Sequence, residues 1–333
     1  MSSPDQNLKH LKIPLEDILE ATNHFSNENF IRQGGFGKIY HGKFKQSGEL
    51  IVARRLDTKY GQGSKEFWTE ILMLSKLEHK NLVSLVGFCD EKNEKIVINK
   101  YEANGSLDNC ITNPTLTWGM RLHICVGIAH ALSYIYYDEK RDFSVIHRNI
   151  KSSKILLDYF WAPKLSGFEL SVATIASRRN GLCVDDACGS TGYVDPTYVK
   201  TGTVTHKSDI YSFGVVLFEV LLGEKAITDN RDIQLAQAAK SRYENEQLDD
   251  WINTDLRKQM NGESLKIVLE TAYGCLNEDH TKRPNIDQVL ENLIKAVNLE
   301  REQSNTALYL QRVQTDTVRQ SVFLLLFHLT FLS

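Results

Sequence analysis

Between Val145 and Asp158 the chain gathers His147, Arg148, Asn149, Lys151 and Lys154, with no carboxylate before Asp158. These groups leave the segment positively charged. The stretch is poorly equipped for two tasks. The neutral amide of Asn149 cannot act as a general base, and the ammonium of Lys154 cannot ligate a dication. Upstream, Gly34-Gly35-Phe36-Gly37 lets backbone approach a ligand closely, because glycine places no side chain in the way. In Ile51-Val52-Ala53-Arg54-Arg55, the period-2 alternation of a strand puts Val52 and Arg54 on one face.

A β-rich lobe followed by a mostly helical one must position these residues. Strand-like and turn-like segments alternate up to about residue 99, which sets an N-lobe over 25–99. Within it, Phe67, Ile71, Leu74 and Leu77 follow Gly63-Ser64 at the spacing of an amphipathic helix. A linker over 100–105 leads to a helical C-lobe over 106–297. There, one stripe runs through Leu122, Cys125, Val126, Ala129 and Leu132, and another through Ile286, Val289, Leu290, Leu293 and Val297. Such stripes are core and carry no site. Residues 1–24 read as a polar extension, and 298–333 as a Glu-, Arg- and Gln-rich tail. The fold class is α+β.

A chain of 333 residues with 42% hydrophobic content can bury a large core, and six prolines and 20 glycines argue against a long disordered region. A net charge of −3 gives no basic footprint for nucleic acid. Cys89, Cys110, Cys125, Cys183, Cys188 and Cys275 lack metal-ligand spacing and read as reduced thiols, so no metal is expected. Cys183 and Cys188 alone are spaced for a redox pair. Met1-Ser2-Ser3-Pro4 offers no myristoylation glycine and no apolar leader. Val322 to Leu332 is apolar apart from His328 and Thr330, but as a helix it reaches only ~16 Å at ~1.5 Å per residue. That falls short of a hydrocarbon core of roughly 30 Å. The expected location is cytoplasmic, with the inner face of the plasma membrane reached through a partner or through this tail.

Read in order, the chain resembles a plant receptor-like kinase or receptor-like cytoplasmic kinase of the Pelle-like group, and within it the malectin-like receptor kinases. The resemblance covers roughly residues 15 to 297. It rests on His147-Arg148-Asn149 and the loop that follows, Gly34 to Tyr40, Glu66-Phe67-Trp68-Thr69-Glu70, His79-Lys80-Asn81-Leu82-Val83 and Asn104-Gly105-Ser106-Leu107. Two later runs add to it, Gly192-Tyr193-Val194-Asp195-Pro196 and Ser208-Asp209-Ile210-Tyr211-Ser212-Phe213-Gly214. It implies a two-lobed protein-kinase fold with a degenerate ATP site.

The family's loop reads H-R-D-x-x-x-x-N, in which Asp is the base and Asn a magnesium ligand. Asn149 and Lys154 stand at those positions. The magnesium-binding D-F-G triplet becomes Gly167-Phe168-Glu169, so the main metal ligand is lost. Glu169 could replace it only if the backbone shifted by two residues and Phe168 lost its packing position. The glycine-rich loop lacks its first glycine, where Arg32 and Gln33 lead into Gly34; Arg32 either faces solvent or lies across the cleft and competes with nucleotide. Arg54 occupies the β-strand lysine position and pairs with Glu70, although a one-residue slip would select Arg55. The implied nucleotide-binding set is Arg32, Gly34, Gly37, Val52, Arg54, Glu70, Asn99 and Tyr101.

His147, Arg148, Lys151 and Asp209 match the family and read as scaffold. By resemblance, Asp209 accepts hydrogen bonds from the loop backbone, Arg148 can receive a phosphorylated activation segment, and Lys151 touches a transferring phosphate. Thr197 replaces the family glutamate that pairs with Arg283, so that arginine needs another acceptor or water. Ser177, Ser190 and Thr191, with Arg178 and Arg179 beside the first, make the activation segment a candidate substrate for another kinase.

Loss of a general base costs ~10²–10⁴-fold. Loss of both metal ligands is worse, because phosphoryl transfer depends mostly on electrostatic stabilisation. The expectation is a pseudokinase that acts through protein–protein contacts or on an active kinase, its partner being another protein kinase or receptor-like kinase. The alternatives are an atypical active Ser/Thr kinase and a nucleotide-responsive switch without transfer. Against the family pattern the cleft gains about three positive charges, which suits ATP bound without magnesium.

Overall fold

The structure, a computed structural model, describes residues 6–56, 63–175, 182–183, 187–227, 234–303 and 305. Ser177, Arg178 and Arg179, the side chain of Cys183 and the apolar stretch 322–332 lie outside them. Helix α1 (Leu15–Ala21) opens the N-lobe and packs Leu15, Ile18 and Ala21 against Ile51, Ala53, Cys89, Ile96 and Ile98. Leu8 joins the cluster around Phe67 and Phe88, so residues 8–21 of the polar extension are built into this lobe. The lobe's sheet contains β1 (Phe30–Gly34), β2 (Gly37–Lys43), β3 (Leu50–Arg55), β4 (Leu85–Glu91) and β5 (Glu94–Lys100), in the antiparallel order β1-β2-β3-β5-β4.

Helix α2 (Ser64–Leu74) sits between β3 and β4. Its first turn is held by Glu66, whose carboxylate accepts from the Gly63 N–H at 3.0 Å, and it buries Phe67, Glu70, Ile71 and Leu74 along one stripe. A charged Glu70 within an apolar stripe costs free energy unless it is paired. That places a cation requirement on the strand opposite.

The C-lobe begins with α3 (Leu107–Cys110) and α4 (Trp118–Tyr137), the latter capped by Thr117, whose hydroxyl accepts from the Met120 N–H. Two short antiparallel strand pairs carry the cleft residues: β6 (Phe143–Ile146) pairs with β9 (Val172–Ile175), and the hairpin of β7 (Ile155–Leu157) and β8 (Pro163–Leu165) lies between them in the chain. Helix α5 (Pro196–Thr201) leads to α6 (His206–Leu222), which is buried almost throughout, capped by Thr205 and ended by Gly223 at φ 70°. Helices α7 (Leu235–Glu244), α8 (Thr254–Arg257), α9 (Gly262–Cys275) and α10 (286–303) complete the lobe. Ile286, Val289, Leu293 and Val297 are buried on α10. Packing continues past residue 297, because the Glu300 carboxylate accepts from Trp118 Nε1 at 2.8 Å and Asn261 N at 2.9 Å. No helix among the described residues is long and apolar enough to cross a membrane.

Candidate active-site cleft

The loop after β6 is fixed from below by Asp209 on α6. Its carboxylate accepts from the backbone N–H groups of His147 at 2.6 Å and Arg148 at 2.8 Å, and from Tyr136 Oη at 3.1 Å. Arg148 has φ 67°, a left-handed conformation unfavourable for a side chain of its size, and the bond to Asp209 holds it there. Burial pushes the Asp209 carboxyl up to about 6 despite these donors. His147 is fully buried and burial lowers it to about 4, so it is a neutral ring; it packs edge-on to Phe168 at 4.7 Å.

Arg54 faces the cleft from β3 and forms an ion pair with Glu70 on α2, while Arg55 turns to the other face and pairs with Glu94. Alternation along the strand makes this division. A second carboxylate completes the set. Glu169 lies 3.5 Å from Arg54 Nη1 and 2.5 Å from Lys154 Nζ, with its side chain 1% exposed. The chain Glu70–Arg54–Glu169–Lys154 therefore joins α2, β3, the start of the activation segment and the catalytic loop. Burial raises the Glu169 carboxyl, but Lys154 and then Arg54 outweigh it and hold the group ionised.

Glu169 reaches this place with Phe168 still buried, as the partner of two cations rather than as a metal ligand. Gly167 adopts φ 87° and ψ 51°, and one 3-10 turn (Phe168–Leu170) follows it. Successive side chains on a 3-10 turn are about 120° apart, so Phe168 enters the core while Glu169 enters the cleft. The freedom of Gly167 is needed twice. A Cβ there would be strained at positive φ and would stand 2.4 Å from Lys154 Cδ and 2.8 Å from Lys154 Nζ. Lys154 thus fills the space that a side chain at position 167 would take.

The glycine-rich loop closes over this pair. Gly34 and Gly37 are register partners in a tight β1–β2 turn, and a Cβ on Gly37 would meet the Arg55 carbonyl at 2.1 Å. Phe36 at the tip faces Lys154 Nζ at 5.2 Å and Arg54 Cζ at 6.0 Å from its ring centre. Arg32 lies across the cleft rather than in solvent, donating to the Ser153 carbonyl at 3.2 Å. On the linker side, Val52 is the register partner of Asn99, whose Oδ1 is buried without a hydrogen-bond partner among the described residues. Tyr101 donates its N–H to Leu50 O at 3.1 Å.

The two magnesium ions implied by the resemblance do not fit the residues present. Lys154 brings an ammonium to one ligand position, Gly167 brings no side chain to the other, and the nearby carboxylate of Glu169 is neutralised by two cations. Among the described residues, no group of His, Cys, Asp and Glu side chains could hold a metal ion.

The activation segment contributes two further contacts. Ser190 Oγ donates to Asn149 Oδ1 at 2.9 Å. Arg148 donates to Tyr198 Oη at 2.6 Å and to Leu170 O at 3.2 Å, so protein groups already meet the guanidinium that would receive a phosphate. Arg283 finds its acceptor in Asp195, two residues before Thr197, through bonds of 2.7 and 2.8 Å, and both side chains are fully buried. Sequence reasoning left this acceptor unnamed, and it discounted Glu169. The available signal for Glu169 was a gained acid and a gained Lys154 of opposite charge, next to a glycine able to turn the chain.

Residues 25–293 match the protein kinase domain family. The chain is 40% identical over 296 residues to Receptor-like protein kinase HERK 1, 39% over 291 to Receptor-like protein kinase THESEUS 1 and 37% over 292 to Receptor-like protein kinase FERONIA, all from Arabidopsis thaliana. These alignments cover 87%, 86% and 85% of this chain and 35%, 34% and 32% of the relatives. The chain thus spans about a third of the length of these curated relatives. A match across most of the sequence, together with the two-lobed architecture, establishes that the chain belongs to the protein kinase domain family, with receptor-like kinases among its relatives.

Proposed function

We propose that this chain is a pseudokinase, a kinase-fold signalling module that acts through protein contacts or by regulating an active kinase. The observation that carries the reading is the buried Lys154–Glu169 pair beside Gly167, which occupies the position where a divalent cation would neutralise phosphoryl charge. Asn149 accepts a hydrogen bond from Ser190 and carries no charge with which to take a proton. The ion-pair chain also links α2 to the activation segment from within, so the two lobes are joined by the protein's own side chains. The partner is another protein kinase or a receptor-like kinase at the inner face of the plasma membrane, a reading supported by the receptor-like names of the relatives.

A second reading is a nucleotide-responsive switch that takes ATP without magnesium. The buried Oδ1 of Asn99 beside Val52, unpartnered among the described residues, favours it, because an orphaned polar atom is satisfied by a polar ligand.

The test is radiolabelled phosphate transfer to the chain itself and to a generic Ser/Thr substrate. It compares the native chain with a variant carrying Asn149→Asp, Lys154→Asn, Gly167→Asp and Glu169→Gly. The native chain is expected to stay at background. Native transfer that rises above background and equals that of the variant refutes the pseudokinase reading and assigns an active Ser/Thr kinase. ATP binding in EDTA then separates the switch from the plain docking module.

A further inference from the structure

The inner half of the cleft is filled by Arg54, Glu169, Lys154 and the Phe36 ring, whereas its outer half holds donors with hydrogen-bonding capacity left over among the described residues. Three groups border it: Arg32 reaches the Ser153 carbonyl, and Lys151 and Asn149 stand two and four residues before Ser153 on the same loop. Lys151 is half-buried, and its ammonium has no hydrogen bond or ion pair among the described residues. Asn149 is 4% exposed; its Oδ1 is taken by Ser190, and its Nδ2 has no partner among the described residues. Arg32 spends one N–H on the Ser153 carbonyl, and the rest of its guanidinium is uncommitted among the described residues.

Burial, then the neighbouring charges of Lys154 and Arg32, push the Lys151 ammonium down, with Glu169 and Asp108 opposing. An anion placed among them would relieve that repulsion. The four cations Arg32, Arg54, Lys151 and Lys154 face two buried carboxylates, Glu70 and Glu169, with Asp108 the remaining acid in the Lys151 environment. An aspartate at position 149 would repel a phosphate. Asparagine removes that charge and supplies a donor instead.

We propose that Asn149, Lys151 and Arg32 form a metal-free site for a phosphomonoester dianion carried on a phosphoserine or phosphothreonine side chain of a partner. The ligand class follows from access and charge. The filled inner cleft turns ligands away from the metal position, while the outer groups are reached by a phosphate on a flexible stem. Guanidinium, ammonium and amide donors match its three oxygens. The proposal rests on the pseudokinase reading, since a transferring enzyme would use Lys151 during turnover.

The full chain is titrated calorimetrically with a short peptide bearing one phosphoserine, the same peptide unphosphorylated, inorganic phosphate, and ATP in EDTA. The phosphopeptide is expected to bind at least tenfold more tightly than its unphosphorylated form and than inorganic phosphate. Lys151→Ala and Asn149→Asp should each weaken it by tenfold or more, while Lys200→Ala, at an exposed lysine, leaves it unchanged. Thermal unfolding of each variant confirms that it is folded. Equal binding of the two peptides, no binding, insensitivity to both substitutions, or tighter binding of ATP or inorganic phosphate each overturns the proposal. None of these results bears on phosphate transfer, so the pseudokinase reading stands or falls separately.

Discussion

Glu169→Gln removes the one carboxylate shared by Lys154 at 2.5 Å and Arg54 at 3.5 Å. At an effective dielectric of ~20 the two attractions are worth roughly 7 and 5 kcal/mol gross, most of which offsets desolvation of the charges. The net loss has a ceiling. Arg54 keeps Glu70, and Lys154 can escape by shedding its proton, which at pH 7 costs about 5 kcal/mol for an amine of ordinary pKa. Breaking a buried pair from one side typically costs ~3–5 kcal/mol. The expected loss is therefore in that range, or a fall in Tm on the order of 10 °C. Urea unfolding at pH 7 measures it. A neutralised Lys154 has a folded pKa below its unfolded value, so the deficit should shrink as pH rises from 7 towards 10. Adding Lys154→Met to Glu169→Gln should recover most of the loss, because no unpaired charge remains. A loss below about 1 kcal/mol for Glu169→Gln, or no recovery in the double variant, would mean that the pair is screened by solvent and the reasoning is wrong.

Gly167→Ala combines a strained positive φ with a close approach to Lys154, and should cost about 2 kcal/mol or more in urea unfolding; Lys154→Ala in the same chain should return the steric part and leave the backbone part. Asp195→Asn breaks the fully buried pair with Arg283 and should destabilise by about 3–5 kcal/mol, whereas Thr197→Glu should give no comparable change, because Asp195 already satisfies that guanidinium. Glu219 is buried among Tyr193, Ser152 and the Ala226 N–H, and burial raises it to about 7. A carboxyl raised on folding adds stability that is full below its ordinary pKa near 4.5 and lost as pH rises through about 7, here on the order of 3 kcal/mol. Glu219→Gln should flatten a curve of Tm against pH across that window, leaving the smaller share due to Asp209.

Helices with periodic burial were legible because the core demands it: Phe67, Ile71 and Leu74 are the buried face of α2, with Leu77 past its end, and Leu122, Cys125, Ala129 and Leu132 are buried on α4, where Val126 is half-buried and burial extends round most of the helix. The inward side of Arg54 was legible for a similar reason, since a strand alternates and Val52 fixes its phase. Residues 8–21 were not, because a short helix with Leu15, Ile18 and Ala21 on one side carries enough acids to read as polar. Glu169 was hidden by counting positions along a triplet. Its direction is set by a left-handed Gly167 and a single 3-10 turn, which spacing does not encode. Asp195 was missed because its partner lies far along the chain and meets it only through the packing of α5 against the loop before α10.

The claim on which the account depends is that Lys154 and Glu169 take the place of the divalent cation. Crystals of the chain grown with ATP and magnesium test it directly. The Lys154–Glu169 contact is expected to stay intact, with no hexacoordinate magnesium beside Gly167. Two magnesium ions bridging the nucleotide phosphates, with Lys154 swung out of the cleft, would contradict it.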